Sequence, residues 1–185
     1  PFPRAAAEGV DFKLVRATDP ELLRRRVGFI VVFGSINIDV EMYLERLPRP
    51  GETVLGGVYS VSAGGKGGNQ ALAAALAGSH VRMFGCVGRD DFAEPALTSM
   101  RRGGVDLSGL RVVDKPTGLA TVWVDAGGEN SIAVASGANL EAKADMVPVA
   151  ALNRDTLLLL QMETPDREVW KLIDKAHQRH APIVL

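Results

Sequence analysis

Apolar residues along this chain fall into short continuous runs separated by turn residues and by stretches of mixed polarity. Residues 29–33 form one such run, rich in β-branched and aromatic side chains and closed by Gly34. That is the pattern of a strand buried on both faces. Residues 81–87 and 157–162 repeat it, and Ile183-Val184-Leu185 opens a fourth such strand. Helical stretches lie between them. Residues 69–77 are alanine- and leucine-rich and stop at Gly78. Asp90 suits the cap of a helix running to Arg102, with Gly103-Gly104 as its stop. Thr164-Pro165 predicts a helix to about His180, threonine at the cap and proline at the first position. Strands alternating with helices predict parallel βαβ units and an α/β fold.

Two stretches break the alternation. Residues 53–63 alternate loosely around Gly56-Gly57, as a strand pair or a bulged edge would. Residues 119–125 and 131–135 predict a hairpin around Gly127-Gly128. Both are half polar, so they predict a small β-rich flap on the α/β body. Ser35-Ile36-Asn37-Ile38-Asp39 is expected to be a polar turn after the first strand, and Pro48, Pro50 and Gly51 mark a loop. Residues 1–26 show no clear period, although Asp19-Pro20-Glu21-Leu22-Leu23 suits the start of a short helix. The expected organisation is a poorly ordered extension over 1–28 and one folded unit over 29–185, with flap segments at about 52–63 and 118–136. The chain stops inside a predicted core strand, and more strands are needed to cover the helices, so a fragment is expected.

Composition changes this picture little. The chain has 185 residues, 46% of them hydrophobic, which is enough for a core in one domain with a small attachment. A net charge of -1, with both signs interspersed, offers no footprint for nucleic acid. Arg24-Arg25-Arg26 before the apolar run has the outline of a signal peptide. The run is short, Asn37 and Asp39 follow it, and no small-x-small cleavage site closes it. It is also far below the ~20 apolar residues of a membrane span. The run is therefore assigned to a buried strand, with no membrane partner. The single cysteine, Cys86, cannot form an intrachain disulfide, and its apolar surroundings predict buried packing. That usage fits a reducing, cytoplasmic setting.

Candidate chemistry gathers at Gly64-Gly65-Lys66-Gly67-Gly68-Asn69, which leads straight into a predicted helix. Glycines let a backbone approach a ligand closely and adopt positive φ. A helix start offers free N–H groups and partial positive charge. Asn69 adds an amide that suits hydroxyl groups. The segment is not a Walker A loop, because Ser60 stands where the first glycine is needed and Gly67 where Ser or Thr is needed. It is not a dinucleotide fingerprint either, since Gln70 replaces the third glycine. The plainer alternative is a tight turn joining flap to helix. Asn37 and Asp39 follow the first strand, at the sheet edge where α/β proteins hold ligands, and together they suit a polyol. They would equally cap a turn. Glu163 ends the third buried strand at the same edge, where it would also complement a helix N-terminus.

These residues carry a resemblance. Gly34-Ser35-Ile36-Asn37-Ile38-Asp39, Pro50-Gly51-Glu52-Thr53 and Gly64-Gly65-Lys66-Gly67-Gly68-Asn69-Gln70-Ala71 resemble the ribokinase branch of the PfkB carbohydrate kinases. Gly85-Cys86-Val87-Gly88-Arg89-Asp90, Thr117-Gly118, Glu129-Asn130, Ser136-Gly137-Ala138-Asn139 and Gln161-Met162-Glu163 extend it over about 31–185. The resemblance implies the amino-terminal portion of a ribokinase-like three-layer α/β/α fold with a small β-sheet lid. It implies that Asn37 and Asp39 hold sugar hydroxyls and that Gly65, Lys66 and Asn69 complete the floor. Glu163 would bond the sugar from the opposite side. Ala120 and Ile132, or Val134 in place of the latter, would close over it, and the lid would also build a homodimer.

The family pattern departs in one large respect. The Gly-Ala-Gly-Asp segment that carries the family's base and anion hole is absent, as is its Asn-x-x-Glu motif. Asp125-Ala126-Gly127-Gly128 has the wrong order, and Ser136-Gly137-Ala138-Asn139 lacks the aspartate. The parent enzyme implied is a sugar kinase using ATP and Mg2+, with K+ left open, that phosphorylates a primary hydroxyl, with D-ribose as lead substrate. Another PfkB substrate (fructose, a deoxy sugar acid or a nucleoside) is one alternative. A non-catalytic sugar-binding or dimerising module is the other. The base and the main nucleotide and metal residues would lie outside this chain.

Overall fold

The computed structural model describes residues 28–185, so the expectations for 1–26, including the short helix, lie outside the described residues. The elements are β1 (Phe29–Phe33), β2 (Asn37–Tyr43), β3 (Val58–Gly64), α1 (Lys66–Leu76), β4 (Val81–Gly88), α2 (Ala93–Arg102), β5 (Asp106–Val113), β6 (Gly118–Val124), β7 (Asn130–Ala135), β8 (Thr156–Leu160), α3 (Asp166–Gln178) and β9 (Ile183–Val184). Short 3-10 turns at Gly137–Glu141, Ala144–Met146 and Val149–Ala151 join β7 to β8.

The first sheet is parallel throughout, in the order β5-β4-β1-β8-β9. Its strands send alternate side chains to two separate cores, as the period of two requires. Val31, Phe33, Leu158 and Leu160 meet Val169, Leu172, Ile173 and Ala176 of α3 on one face. Ile30, Val32, Val81 and Met83 meet Ala71 of α1 and Ala96, Leu97 and Met100 of α2 on the other. Helices on both faces of a parallel sheet give the three-layer α/β/α class. The chain leaves β1 for β4 on one side and reaches β8 on the other. The carboxyl ends of β1 and β8 therefore flank the position where strand order reverses, the usual place for a ligand crevice.

A second sheet has the order β3-β2-β6-β7. β2 pairs antiparallel with β3 and parallel with β6, and β6 pairs antiparallel with β7. Ile38, Val40 and Leu119 anchor it in the core shared with α1 and α2. Farther out, Val58, Tyr59, Ile132 and Val134 are exposed.

Several elements differ from their sequence expectation. Asn37 and Asp39 lie on β2 of the second sheet, not in a turn after β1. The signal was present: Asn37, Asp39 and Glu41 alternate with Ile38, Val40 and Met42, the mark of a half-buried strand. Residues 53–63 yield one strand rather than a pair. The edge strand β5 had no apolar run to announce it, because Asp106, Ser108, Gly109 and Arg111 interrupt it. Helix α1 begins three residues earlier than its alanine-rich stretch, at Lys66. Asp90 does not cap α2, which starts at Ala93. Its carboxylate accepts from Thr117 N and Thr117 Oγ1, both at 2.7 Å, and from Phe92 N at 3.2 Å. Burial opposes its ionisation, but these bonds win and hold it below the usual aspartate range. Thr164 makes no side-chain cap on α3, and its buried Oγ1 has no hydrogen-bond partner.

The steric demand at α1 is testable. A Cβ on Gly67 would stand 2.7 Å from Gly34 C and Ser35 N, both of them backbone. Gly67→Ala is expected to lower the unfolding free energy by about 1–3 kcal/mol, the scale of an overpacked core. Urea denaturation measures it, and an unchanged midpoint would show that the contact is soft.

Candidate functional site

The site grows from a bend and a helix start pressed together. Gly34 and Ser35 leave β1, Ile36 turns the chain into β2, and the start of α1 lies directly on this bend. Gly65 has φ 86, and a Cβ there would meet Ser35 O and Asn37 N at 2.8 Å and Ile36 Cα at 2.9 Å. Gly68 N donates to Ser35 O at 2.9 Å. A Cβ on Gly64 would fall on the carboxyl group of Asp39. The bare α-carbon of Gly64 is thus the surface on which the Asp39 side chain rests. Gly65 packs against the backbone of Asn37.

The helix start is less open than its glycines suggest. Lys66 N donates to Glu163 Oε2 at 3.3 Å, Gly67 N to Ser35 Oγ at 3.3 Å, and Asn69 N to Gly65 O at 2.9 Å. The free N–H groups expected there are already used within the protein, so this terminus is not a ready anion cradle.

Glu163 follows the carboxyl end of β8 and lies against Ser35 and Lys66. It pairs with Lys66 Nζ and accepts from Ser35 Oγ at 2.7 Å. Burial works against its charge, yet the bonds from Lys66 and Ser35 outweigh it and hold the carboxyl below the usual glutamate range. Beside it, Gln161 Nε2 donates to Gln70 Oε1 at 2.6 Å, while the buried Gln161 Oε1 has no partner.

Asp39 behaves oppositely. Desolvation first, then the charges of Glu41 and Glu163, push its pKa up. Asn37 is buried, and its Oδ1 accepts from Asn139 Nδ2 at 2.8 Å. Strand register sets Ala120 directly beside Asp39, with Val134 next on the same row. Ile132 stands one row farther out, opposite Val122 and Glu41, and is exposed. Asn69 is exposed on the first turn of α1. It lines a small cavity of about 40 Å3 with Ala63, Gly64, Leu72 and Met100.

The structure therefore brings Asn37, Asp39, Gly65, Lys66, Glu163 and Ala120 to one place. Asn69 lies on its margin, and Ile132 lies one row outward. Sequence reasoning gave Ser35 and Asn139 no individual role. They sit 128 and 102 residues from the side chains they hold, and no local pattern encodes such pairings. Chemically, the site gathers carboxylates, carboxamides and an ammonium group, a set suited to several hydroxyls.

The model of the pfkB family of carbohydrate kinases matches residues 27–185. The chain belongs to that family. It is 37% identical over 139 residues to the ribokinase of Haemophilus influenzae, covering 74% of this chain and 45% of that protein. It is 36% identical over 162 residues to the ribokinase of Bacillus subtilis, covering 84% and 54%. The structure of Arabidopsis thaliana ribokinase complexed with ribose and ATP superposes with a TM-score of 0.72 at 31% identity, covering 83% of this chain and 51% of that one. The chain spans about half the length of the curated relatives it matches.

The opposite shifts of the two carboxyls give a signed test. Glu163, depressed from an ordinary 4.5, adds stability that is full above that value and lost as pH falls through its folded pKa. Asp39, raised from 3.8, adds stability that is full below that value and lost as pH rises through its folded pKa. Glu163→Gln is expected to lower stability at neutral pH, and Asp39→Asn to raise it, with both differences shrinking in acid. Urea unfolding at neutral and acid pH reads this, and a stabilising Glu163→Gln would reverse the assignment.

Proposed function

We propose that this chain forms the sugar-holding part of an ATP-dependent carbohydrate kinase, with D-ribose as the substrate and its primary hydroxyl as the acceptor. The observation that carries this reading is the Asn37–Asp39 wall on β2, set against the glycine-rich start of α1 and facing the Lys66–Glu163 pair. The ribokinase relatives support ribose as the sugar.

In this reading Asp39 accepts hydrogen bonds from sugar hydroxyls, Asn37 donates to them, and Gly65, Lys66 and Asn69 complete the floor. Glu163 acts from the β8 side. Residues 29–185 make the amino-terminal part of the kinase domain, 1–28 are an extension, and the segments at about 52–63 and 118–136 form a lid. Ala120, with Ile132 or Val134, closes the sugar off from water, which limits wasteful hydrolysis. The exposed apolar residues of the lid support a homodimer through it. The single buried cysteine supports a cytoplasmic setting.

ATP and Mg2+ are the partners the family implies. Among the described residues no group of three or more His, Cys, Asp or Glu could hold a metal ion. The first N–H groups of α1 are also occupied. The part derived for the described residues is positioning of the sugar, one component of phosphoryl transfer.

A non-catalytic sugar-binding or dimerising role is the second reading, favoured by the apolar Val58, Tyr59, Ile132 and Val134 exposed on the second sheet. Sugar-dependent ADP release distinguishes the two. The 185-residue chain alone is expected to release none, and a chain extended to the length of its relatives is expected to be active. Activity in the short chain would refute the assignment of its base to residues elsewhere. A panel of D-ribose, fructose, a deoxy sugar acid and a nucleoside ranks the substrates. Asp39→Asn is expected to weaken D-ribose binding by about 1.5–3 kcal/mol, the scale of a hydrogen bond to a charged group. Calorimetry measures it, and unchanged affinity would remove Asp39 from the site.

A further inference from the structure

Asn139 lies in the 3-10 turn Gly137–Glu141, and only 1% of it is exposed. The backbone there is tied down, with Ala138 N donating to Pro116 O at 2.7 Å. The side chain does not reach the crevice as a ligand would. It closes on Ile36 and Asn37 instead. Its Oδ1 accepts from Ile36 N at 2.9 Å, and its Nδ2 donates to Ile36 O at 3.2 Å and to Asn37 Oδ1 at 2.8 Å.

The order of these bonds determines which atom is which. Ile36 offers one donor and one acceptor on its backbone. Only one orientation of the Asn139 carboxamide satisfies both, because the flipped form sets NH2 against N–H and oxygen against oxygen. The remaining Nδ2 proton then meets Asn37, and only the oxygen of Asn37 can accept it. Asn37 is itself 5% exposed, so reversing its amide would leave facing NH2 groups inside the protein, which is costly. Gly118 gives this arrangement its room. A Cβ there would fall on Asn37 Oδ1 and Asn139 Nδ2, and would stand 2.8 Å from Ile36 O.

We infer that Asn139 is a positioning residue that locks the Asn37 carboxamide with its oxygen turned inward and its NH2 turned to the ligand. Two residues along the same face of β2, Asp39 offers acceptors only. The wall therefore has a fixed polarity, with donors from Asn37 and acceptors from Asp39. It selects a ligand that presents an acceptor oxygen to the first and a hydroxyl proton to the second. This rests on the reading of the crevice as a sugar site, and it adds the residue that sets how one wall reads the sugar.

The test is a double-mutant cycle read by D-ribose calorimetry, with 15N side-chain amide spectra taken without sugar, all on the intact protein. Asn139→Ala is expected to weaken D-ribose binding about tenfold, the scale of one hydrogen bond. In an Asn37→Ala background the same change is expected to have almost no further effect, since the residue it orients is gone. An equal loss in both backgrounds would mean that Asn139 merely supports the fold, and would overturn the inference. Gly118→Ala is expected to follow Asn139→Ala, by wedging the pair apart. The Asn37 side-chain amide pair is expected to shift in Asn139→Ala, and an unmoved pair would overturn the inference without reference to any ligand. Should that variant not fold, wild-type protein decides: slow exchange of the Asn139 amide protons supports the lock, and rapid exchange overturns it. Failure of the wild type to bind any sugar in the panel would remove the sugar-site reading and leave the amide spectra to judge Asn139.

Discussion

Backbone meets backbone where α1 begins. Gly65 and Gly67 sit so close to Gly34, Ser35 and Ile36 that a single added carbon on either would collide with main-chain atoms. Most contacts of the candidate site depend on that approach. It brings Gly67 N within reach of Ser35 Oγ and Gly68 N within reach of Ser35 O. It carries Lys66 across to Glu163. Gly64, at the end of β3, continues the same theme by giving the Asp39 carboxyl a bare α-carbon to rest on. Glycine supplies no side chain here; it permits backbone to meet backbone and its neighbours' side chains to close on one another.

The site that results is electrically divided. Glu163 is partly buried yet held ionised by the hydrogen bonds it receives from Lys66 and Ser35. Asp39 has no cation to hold it and feels Glu41 and Glu163 instead, so its pKa rises. Carboxylates left short of donors are the ones that gain most when a ligand brings hydroxyl protons. Glu163 is mostly satisfied within the fold, whereas the Asp39 side chain receives no such bond among the described residues. The division also explains why the α1 terminus does not read as a phosphate cradle, since its first N–H groups are already committed.

Much of the first sheet was legible because its strands are buried on both faces. The runs at 29–33, 81–87 and 157–162 became β1, β4 and β8 with shifts of a residue or two at their ends. The hairpin around Gly127-Gly128 was equally plain, and Asp125 Oδ1 tightens it by accepting from Gly127 N at 2.8 Å. Strands with a wet face were harder. β2 alternates cleanly but followed a bend that drew attention to its polar residues, and β5 lies at a sheet edge where polar side chains cost little. Helix starts were misplaced where the chain prepares the helix with side-chain bonds to distant segments, as Asp90 does with Thr117.

By itself the sequence determined the α/β class, the two kinds of sheet and the residue types of the candidate site, because period, turn chemistry and glycine clusters are local properties. Asn37, Asp39, Gly65, Lys66 and Glu163 could be named from such patterns. Only the tertiary structure decided how they act on one another. Lys66 met Glu163, Ser35 met Glu163, and Asn139 met Asn37, across 97, 128 and 102 residues of chain. Those pairings follow from the order in which parallel strands are laid beside β1, and strand order is a global choice that no local pattern of residues encodes.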